Sequence, residues 1–185
     1  ASESLSEKLL TLKQQQLNQL KKERGLKDFK FFFEDVLEYT EKLDWDAHGD
    51  LITDLQEIKK QLEEGKGSEK LLLEPRGFGK TTVFTISGIT WLLTNFPNLR
   101  ILLTNSKLAN CEKMLDEIKR NFLKQSFKDL YGDFEGTVWR VGEIRVKPCT
   151  RSGKEQSVVV GSPTTSLGSQ HFDVIFADDL VDSEN

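Results

Sequence analysis

Leu71-Leu-Leu-Glu-Pro-Arg-Gly-Phe-Gly-Lys-Thr-Thr82 reads as a short buried strand, a tight glycine turn and the opening of a helix. Gly77 and Gly79 lack a Cβ, so the backbone there can turn its N–H groups inward around an anion. Lys80 adds a positive charge for the β- and γ-phosphates of a nucleotide, and the Thr81 hydroxyl is placed to ligand Mg2+. A helix that starts here presents free N–H groups and the positive end of its dipole to the same anion. The stretch follows the phosphate-loop pattern G-x-x-x-x-G-K-[ST] with one departure, because Glu74 stands where the first glycine belongs.

A nucleotide-hydrolysing domain needs a second element, and Asp173-Val-Ile-Phe-Ala-Asp-Asp179 has its make-up. Four apolar residues bury a strand, and two carboxylates emerge at its tip. One carboxylate of the pair Asp178-Asp179 can hold the Mg2+ shell, while the second beside it polarises the attacking water. Other chemistries lack their parts. No Ser/His/Asp arrangement is evident, and His48 and His171 have no metal-ligand spacing with acids or cysteines. The arginine-rich lid of a nucleotide kinase is missing, and Thr104-Asn-Ser-Lys107 is not the Asn-Lys-x-Asp guanine reader of a GTPase. ATP is the nucleotide these residues favour.

The rest of the chain is read around these two motifs. Leucines at 5, 9, 12, 17 and 20 share one stripe of a helix over residues 2–24, with Gly25 as its stop. The stripe is expected to pack on the domain; an arm docking on a neighbouring subunit is the alternative. Residues 28–43 form a second helix with Phe29, Phe32, Val36 and Leu37 on one side, and the Phe31–Phe33 run is assigned to the core rather than to stacking on adenine. A third helix spans residues 46–64. Beyond Lys80, helices over 81–94 and 107–124, the latter capped by Ser106, alternate with strands over 100–104, 156–160 and 172–177. A two-residue hairpin around Gly142-Glu143 joins strands 137–141 and 143–146. Strands separated by helices predict an α/β fold with a mostly parallel central sheet, flanked by helices on both faces, and a ligand crevice at the strands' carboxyl ends. An N-terminal helical segment (1–45) precedes the phosphate-loop core (46–185).

Composition bounds the possibilities. A chain of 185 residues suffices for one domain with a real core, and 37% apolar with 30% charged residues is polar but globular. The net charge of −4 makes no whole-chain case for nucleic-acid binding, although residues 107–154 are locally basic. Cys111 and Cys149 lack metal-ligand spacing and read as reduced thiols. The most apolar window, residues 83–93, is too short to span a bilayer, and the polar N-terminus has no apolar signal core; a soluble intracellular protein is expected.

Taken together, the two motifs resemble those of the large terminase subunits, the DNA-packaging motor ATPases of tailed bacteriophages. Pro75-Arg-Gly-Phe-Gly-Lys-Thr81 is similar to that family's variant phosphate loop, in which an arginine replaces a spacer and the first glycine is often missing. Phe172-Asp-Val-Ile-Phe-Ala-Asp-Asp-Leu-Val181 resembles its Mg2+-binding strand. Trp45-Asp-Ala-His48, and Ser106-Lys-Leu-Ala109 leading into Glu117-Ile-Lys-Arg120, are weaker matches in the same order. The resemblance implies a P-loop NTPase core of the ASCE type that hydrolyses ATP with Mg2+. It implies that Lys80 and Arg76 meet the γ-phosphate, that Thr81 and Asp178 hold Mg2+, and that Asp179 activates water. The backbone of Pro75, Arg76, Gly77, Phe78, Gly79, Lys80, Thr81 and Thr82 would cradle the phosphates. The implied partners are double-stranded DNA, the portal protein of the procapsid and the small terminase subunit, in the host-cell cytoplasm and without a membrane. The assembled motor would be a homo-oligomeric ring, while the isolated chain can be a monomer. Family members often carry an arginine just before the Mg2+ strand, where this chain has Gln170-His171, so Arg140, Arg145 and Arg151 are the candidates for an arginine shared between subunits. The resemblance also implies an N-terminal ATPase portion of a longer protein. A helicase-like DNA-dependent ATPase and a non-catalytic nucleotide-binding assembly module are the alternatives.

Overall fold

A computed structural model describes residues 5–67, 69–72, 79–165, 168 and 170–180. Residues 73–78 lie outside the described residues, and with them the expectations for Glu74, Pro75, Arg76, Gly77 and Phe78.

The β-branched and leucine runs form four short strands, β1 (Ile101–Thr104), β2 (Glu143–Ile144), β3 (Val158–Gly161) and β4 (Val174–Ala177). Their order in the sheet is β2-β3-β1-β4, with β1 parallel to both β3 and β4, and β2 antiparallel on the β3 edge. The three parallel strands are in register. Ile101 lies level with Val158 and Val174, and Thr104 with Gly161 and Ala177. Their carboxyl ends therefore finish together, and whatever follows Thr104 and Ala177 meets at one edge of the sheet.

Six α-helices accompany the sheet among the described residues: α1 (Leu5–Lys27), α2 (Phe29–Phe31), α3 (Trp45–Glu63), α4 (Gly88–Asn95), α5 (Leu108–Leu123) and α6 (Gln125–Tyr131). Two wider, π-helical stretches adjoin them, Phe32–Val36 after α2 and Thr81–Ser87 leading into α4. The core joins these helices to the sheet. Phe29, Phe32 and Phe33 are fully buried, and Phe29 meets the edge of Trp91 with centroids 5.4 Å apart. Each such ring contributes about 1.5–3 kcal/mol by leaving water, which assigns the phenylalanine run to packing. The Trp91 indole N–H donates to the Gly25 carbonyl at 2.8 Å, tying α4 to the end of α1. Gly88 lets α4 press against α3, since a Cβ there would stand 2.7 Å from Leu55 Cδ2.

Several expectations are corrected. The helix expected over 28–43 ends at Val36, because the chain folds back. Glu34 Oε1 accepts the Leu43 N–H at 2.7 Å, Lys30 donates to the Leu43 carbonyl, and Glu38 takes a left-handed φ of 52°. Gly25 does not stop α1, which continues to Lys27; the glycine instead admits the Tyr131 hydroxyl, which a Cβ would meet at 2.3 Å. The leucine stripe of α1 is not packed on the domain: Leu5, Leu9, Leu12, Leu17 and Leu20 are all exposed. Leu71 and Leu72 belong to no strand, and Leu71 is exposed. Lys70 is held instead by Asp54 (3.1 Å) and Glu57 (2.5 Å) of α3, which draws this segment towards the helix. Helices do not cover both faces of the sheet at β4, where Ile175 is 62% exposed. The hairpin turns on Val141-Gly142, one residue earlier than expected, with Arg140 N–H donating to the Glu143 carbonyl at 2.9 Å. Ser106 does not cap α5: Lys107 stands at the cap position without a side-chain cap bond, and Asn105 Oδ1 accepts the Lys107 N–H at 2.9 Å.

Candidate functional site

The aligned carboxyl ends of β1 and β4 bring the downstream motif to the start of the loop-bearing helix. Thr81 Oγ1 donates to Asp178 Oδ2 at 2.7 Å, joining residues that stand far apart in sequence. Asp178 is 6% exposed, and among the described residues no cation pairs with it. A buried carboxylate held by a single hydroxyl is expensive. The backbone locks it in place: its N–H donates to the Thr104 carbonyl at 2.9 Å, and its carbonyl accepts Asn105 Nδ2 at 2.7 Å.

Asn105 is a site residue that sequence reading missed. It is buried, holds the Asp178 carbonyl with one end of its amide, and with the other gathers the start of α5 through Lys107 N–H and Asn110 Nδ2. The only signal available was a lone asparagine after a strand, which reads as a turn residue.

Asp179 follows in the left-handed region, with φ 45°. Aspartate tolerates this conformation better than most residues, yet it is uncommon, and such outliers concentrate at working sites. Its carbonyl accepts the Ser106 N–H at 3.1 Å, so β1 fixes both aspartates of the pair. Gly79 also has a positive φ, 67°, which only glycine takes at low cost. Its carbonyl accepts the Val83 N–H at 2.7 Å and opens the helical run. That run begins as a π-helical stretch, a rare form met often at functional sites. Ser87 Oγ donates to the Thr82 carbonyl at 2.7 Å and occupies an acceptor within the widened turn.

A cleft of about 790 Å3 opens here. Lys80, Asp178 and Asp179 line it together with the apolar Leu72, Phe84 and Phe176. The Lys80 ammonium makes no hydrogen bond or ion pair among the described residues. Gly79, Lys80, Thr81, Thr82, Asp178 and Asp179 are thus gathered at one place. A hard cation takes oxygen ligands and keeps several waters, and the hydroxyl and carboxylate of Thr81 and Asp178, already in contact, suit Mg2+ beside a phosphate. Among the described residues no group of three or more His, Cys, Asp or Glu could hold a metal unaided.

Other singled-out residues lie elsewhere. His48 Nδ1 accepts the Asp44 N–H at 3.1 Å at the start of α3, and His171 is exposed. Cys111 and Cys149 are free; the Cys111 thiol donates to the Gly161 carbonyl, and burial pushes it above its ordinary range. Arg145 spends its guanidinium on the Gly153 and Arg151 carbonyls, and Arg151 on those of Asn98, Glu155 and Gln156. Among the described residues Arg140 is paired only with Glu143, and it is 74% exposed. Most of the basic run is internally engaged: Lys119 and Arg120 with Asp116, Lys128 and Lys147 with Asp133, and Lys124 with the Leu37 carbonyl. No helix among the described residues is long and apolar enough to cross a membrane. No family model, curated protein or solved structure matches the chain.

Proposed function

We propose that the chain is a Mg2+-dependent ATP hydrolase with a P-loop core of the ASCE type, serving as the motor domain of a large terminase subunit. The observation that carries this reading is the 2.7 Å contact between Thr81 Oγ1 and Asp178 Oδ2. The two residues come from motifs far apart in the sequence, and a nucleotide-hydrolysing site requires those motifs side by side at the carboxyl ends of parallel strands. Lys80 in the same cleft and the constrained turn at Asp179 support it further.

In this reading the triphosphate lies along the start of the helical run, against its free N–H groups. Lys80 offsets charge on the γ-phosphoryl oxygens, where stabilisation of developing charge counts most. Arg76 adds a second cation on the strength of the sequence. Thr81 and Asp178 would hold Mg2+, which supplies charge neutralisation on the β- and γ-oxygens. Asp179 accepts a proton from the water that attacks phosphorus in line; the bond from phosphorus to the bridging oxygen breaks, releasing ADP and inorganic phosphate. Double-stranded DNA is the substrate moved, met through its phosphates. Lys113 and Lys154 are the basic side chains of the 107–154 run best placed for that contact, since both are exposed and neither is in an ion pair among the described residues. The portal protein and small terminase subunit are the partners, and the host-cell cytoplasm the compartment.

Binding of a fluorescent ATP analogue tests the site without needing a neighbouring subunit. Binding is expected to require Mg2+, to weaken at least tenfold in Lys80→Ala, and to lose its Mg2+ dependence in Thr81→Ala. Equal affinity in wild type and Lys80→Ala would sink the reading. Phosphate release stimulated by duplex DNA, and reduced in the Lys113→Glu/Lys154→Glu variant, tests the motor assignment separately.

A further inference from the structure

The first thirteen residues of α1, 5–17, are exposed without exception, so about 20 Å of helix stands clear of the domain at 1.5 Å per residue. Its leucines are not scattered. At helical spacing Leu5, Leu9, Leu12 and Leu20 share one face, and their exposures run from 54% to 87%. The helix is also basic. Six Lys and Arg against two Glu give it +4, whereas the whole chain carries −4, which leaves −8 on the remainder. Two such helices would repel each other, so like pairing with like is disfavoured.

A surface of the opposite character exists on the same molecule. Trp45 opens α3 and is 57% exposed, its ring lying over Gly49, where a Cβ would stand 3.4 Å from Cε3. Asp44, Asp46 and Asp50, all exposed, flank it on the cap and first turns. An exposed tryptophan with carboxylates on either side in sequence and a turn further on is the kind of anchor that interfaces use, apolar area beside charge. Neither surface is covered by the described residues of one copy, since the leucines and Trp45 are all exposed.

We propose that the leucine face of α1 in one copy docks on the Trp45 face of a second copy, with the lysines of α1 against Asp46 and Asp50. Arm and patch are different surfaces, so the contact is heterologous and repeats head to tail. Charge brings the copies together and makes association weaken with added salt. The leucine and tryptophan surfaces supply the non-directional part.

Sedimentation velocity on the full chain tests this with two variants. Leu5→Gln/Leu9→Gln/Leu12→Gln removes the arm's apolar face while keeping good helix formers, and Trp45→Ala/Asp50→Lys removes the patch. The wild type is expected to self-associate with concentration, and each variant to raise the dissociation constant at least tenfold with an unchanged circular-dichroism spectrum. An equimolar mixture of the two variants retains one intact arm and one intact patch, so it is expected to form a dimer and nothing larger. A wild type that stays monomeric at its highest soluble concentration overturns the proposal. So does a patch variant that associates like the wild type, which would mean that arms pair with arms. Duplex DNA bound through α1 by a chain that remains monomeric would likewise overturn it.

Discussion

Asp173 and Asp178 flank the two ends of β4, and their surroundings could hardly differ more. Asp173, at the amino end, accepts from Arg100 Nε at 3.0 Å, Nη2 at 2.6 Å and the Arg100 backbone N–H at 2.8 Å. The guanidinium holds its carboxyl below the ordinary carboxylate range. Around it Arg145 and Arg151 cap loop carbonyls, and Asn98 braces residues 150 and 151. Asp178, at the carboxyl end, is more deeply buried yet among the described residues has only the Thr81 hydroxyl as side-chain partner, beside a left-handed Asp179. One end of the sheet satisfies its charges and gains stability. The other leaves a carboxylate without a cation among the described residues and a backbone constrained, an arrangement that makes sense where a cation and an anion are to be received.

The sharpest way to break this contrast is to neutralise the carboxyl end. Asp179→Asn is expected to lower the rate of ATP hydrolysis by about 10²–10⁴, the usual worth of a positioned base, while thermal unfolding stays within a degree or two of wild type. Steady-state phosphate release and a melting curve check both halves. Asp178→Asn should go further in its separation of effects. It removes Mg2+-dependent nucleotide binding, yet raises folding stability by about 0.5–2 kcal/mol because a buried carboxylate with no cation partner among the described residues disappears. Loss of stability in Asp178→Asn, measured by urea denaturation, would mean that both ends of the strand serve the fold alike.

At the amino end the expected effects are on stability and on its pH dependence. Arg100→Ala is expected to cost about 1.5–3 kcal/mol, in the range of hydrogen bonds to charged groups, with nucleotide affinity unchanged. The folded value of Asp173 is depressed below its ordinary 3.8. The pair's contribution is therefore complete above that ordinary value and is lost as pH falls through the lower, folded one. Asp173→Asn should flatten part of the acid limb of stability against pH. Asp116 and Asp133, lowered by Arg120 and Lys147, retain the rest. An acid limb that is unchanged in Asp173→Asn would remove the pair from the stabilising side of the comparison.

How much of this was legible in the sequence follows the range of the interactions involved. The apolar runs at 101–104 and 174–177 declare their strands, and the helix behind the loop declares itself by composition, because local pattern decides both. That Thr81 and Asp178 lie close, 2.7 Å apart, accords with the resemblance, which assigns both to one cation. What escaped depends on distant partners. The break between α5 and α6 has neither glycine nor proline; Lys124 turns extended while its ammonium lies 4.2 Å over the Tyr39 ring and reaches the Leu37 carbonyl. Asn105 looks like any turn asparagine until the Asp178 carbonyl is brought to it. The exposure of the α1 leucines was equally hidden, since a stripe at helical spacing says that a face will be buried and not by what.

The arginines provide the finest division between the two kinds of residue. Arg145 and Arg151 looked interchangeable with Arg140 as charges to be shared between subunits. Arg151 donates to three loop carbonyls, including Glu155 at 2.8 Å, and Arg151→Ala is expected to cost about 1–3 kcal/mol by leaving those acceptors without it. Arg140 makes one exposed ion pair with Glu143, at 3.0 Å, and pairs of that kind are worth little. Arg140→Ala should therefore change stability by less than about 0.5 kcal/mol, within the scatter of a denaturation curve. Its value lies in what else it moves. With the fold undisturbed, any loss of hydrolysis in Arg140→Ala that grows with protein concentration assigns the side chain to a neighbouring copy's site. Equal loss at all concentrations would place its action within its own copy, and no loss would return Arg140 to the solvated hairpin on which it sits.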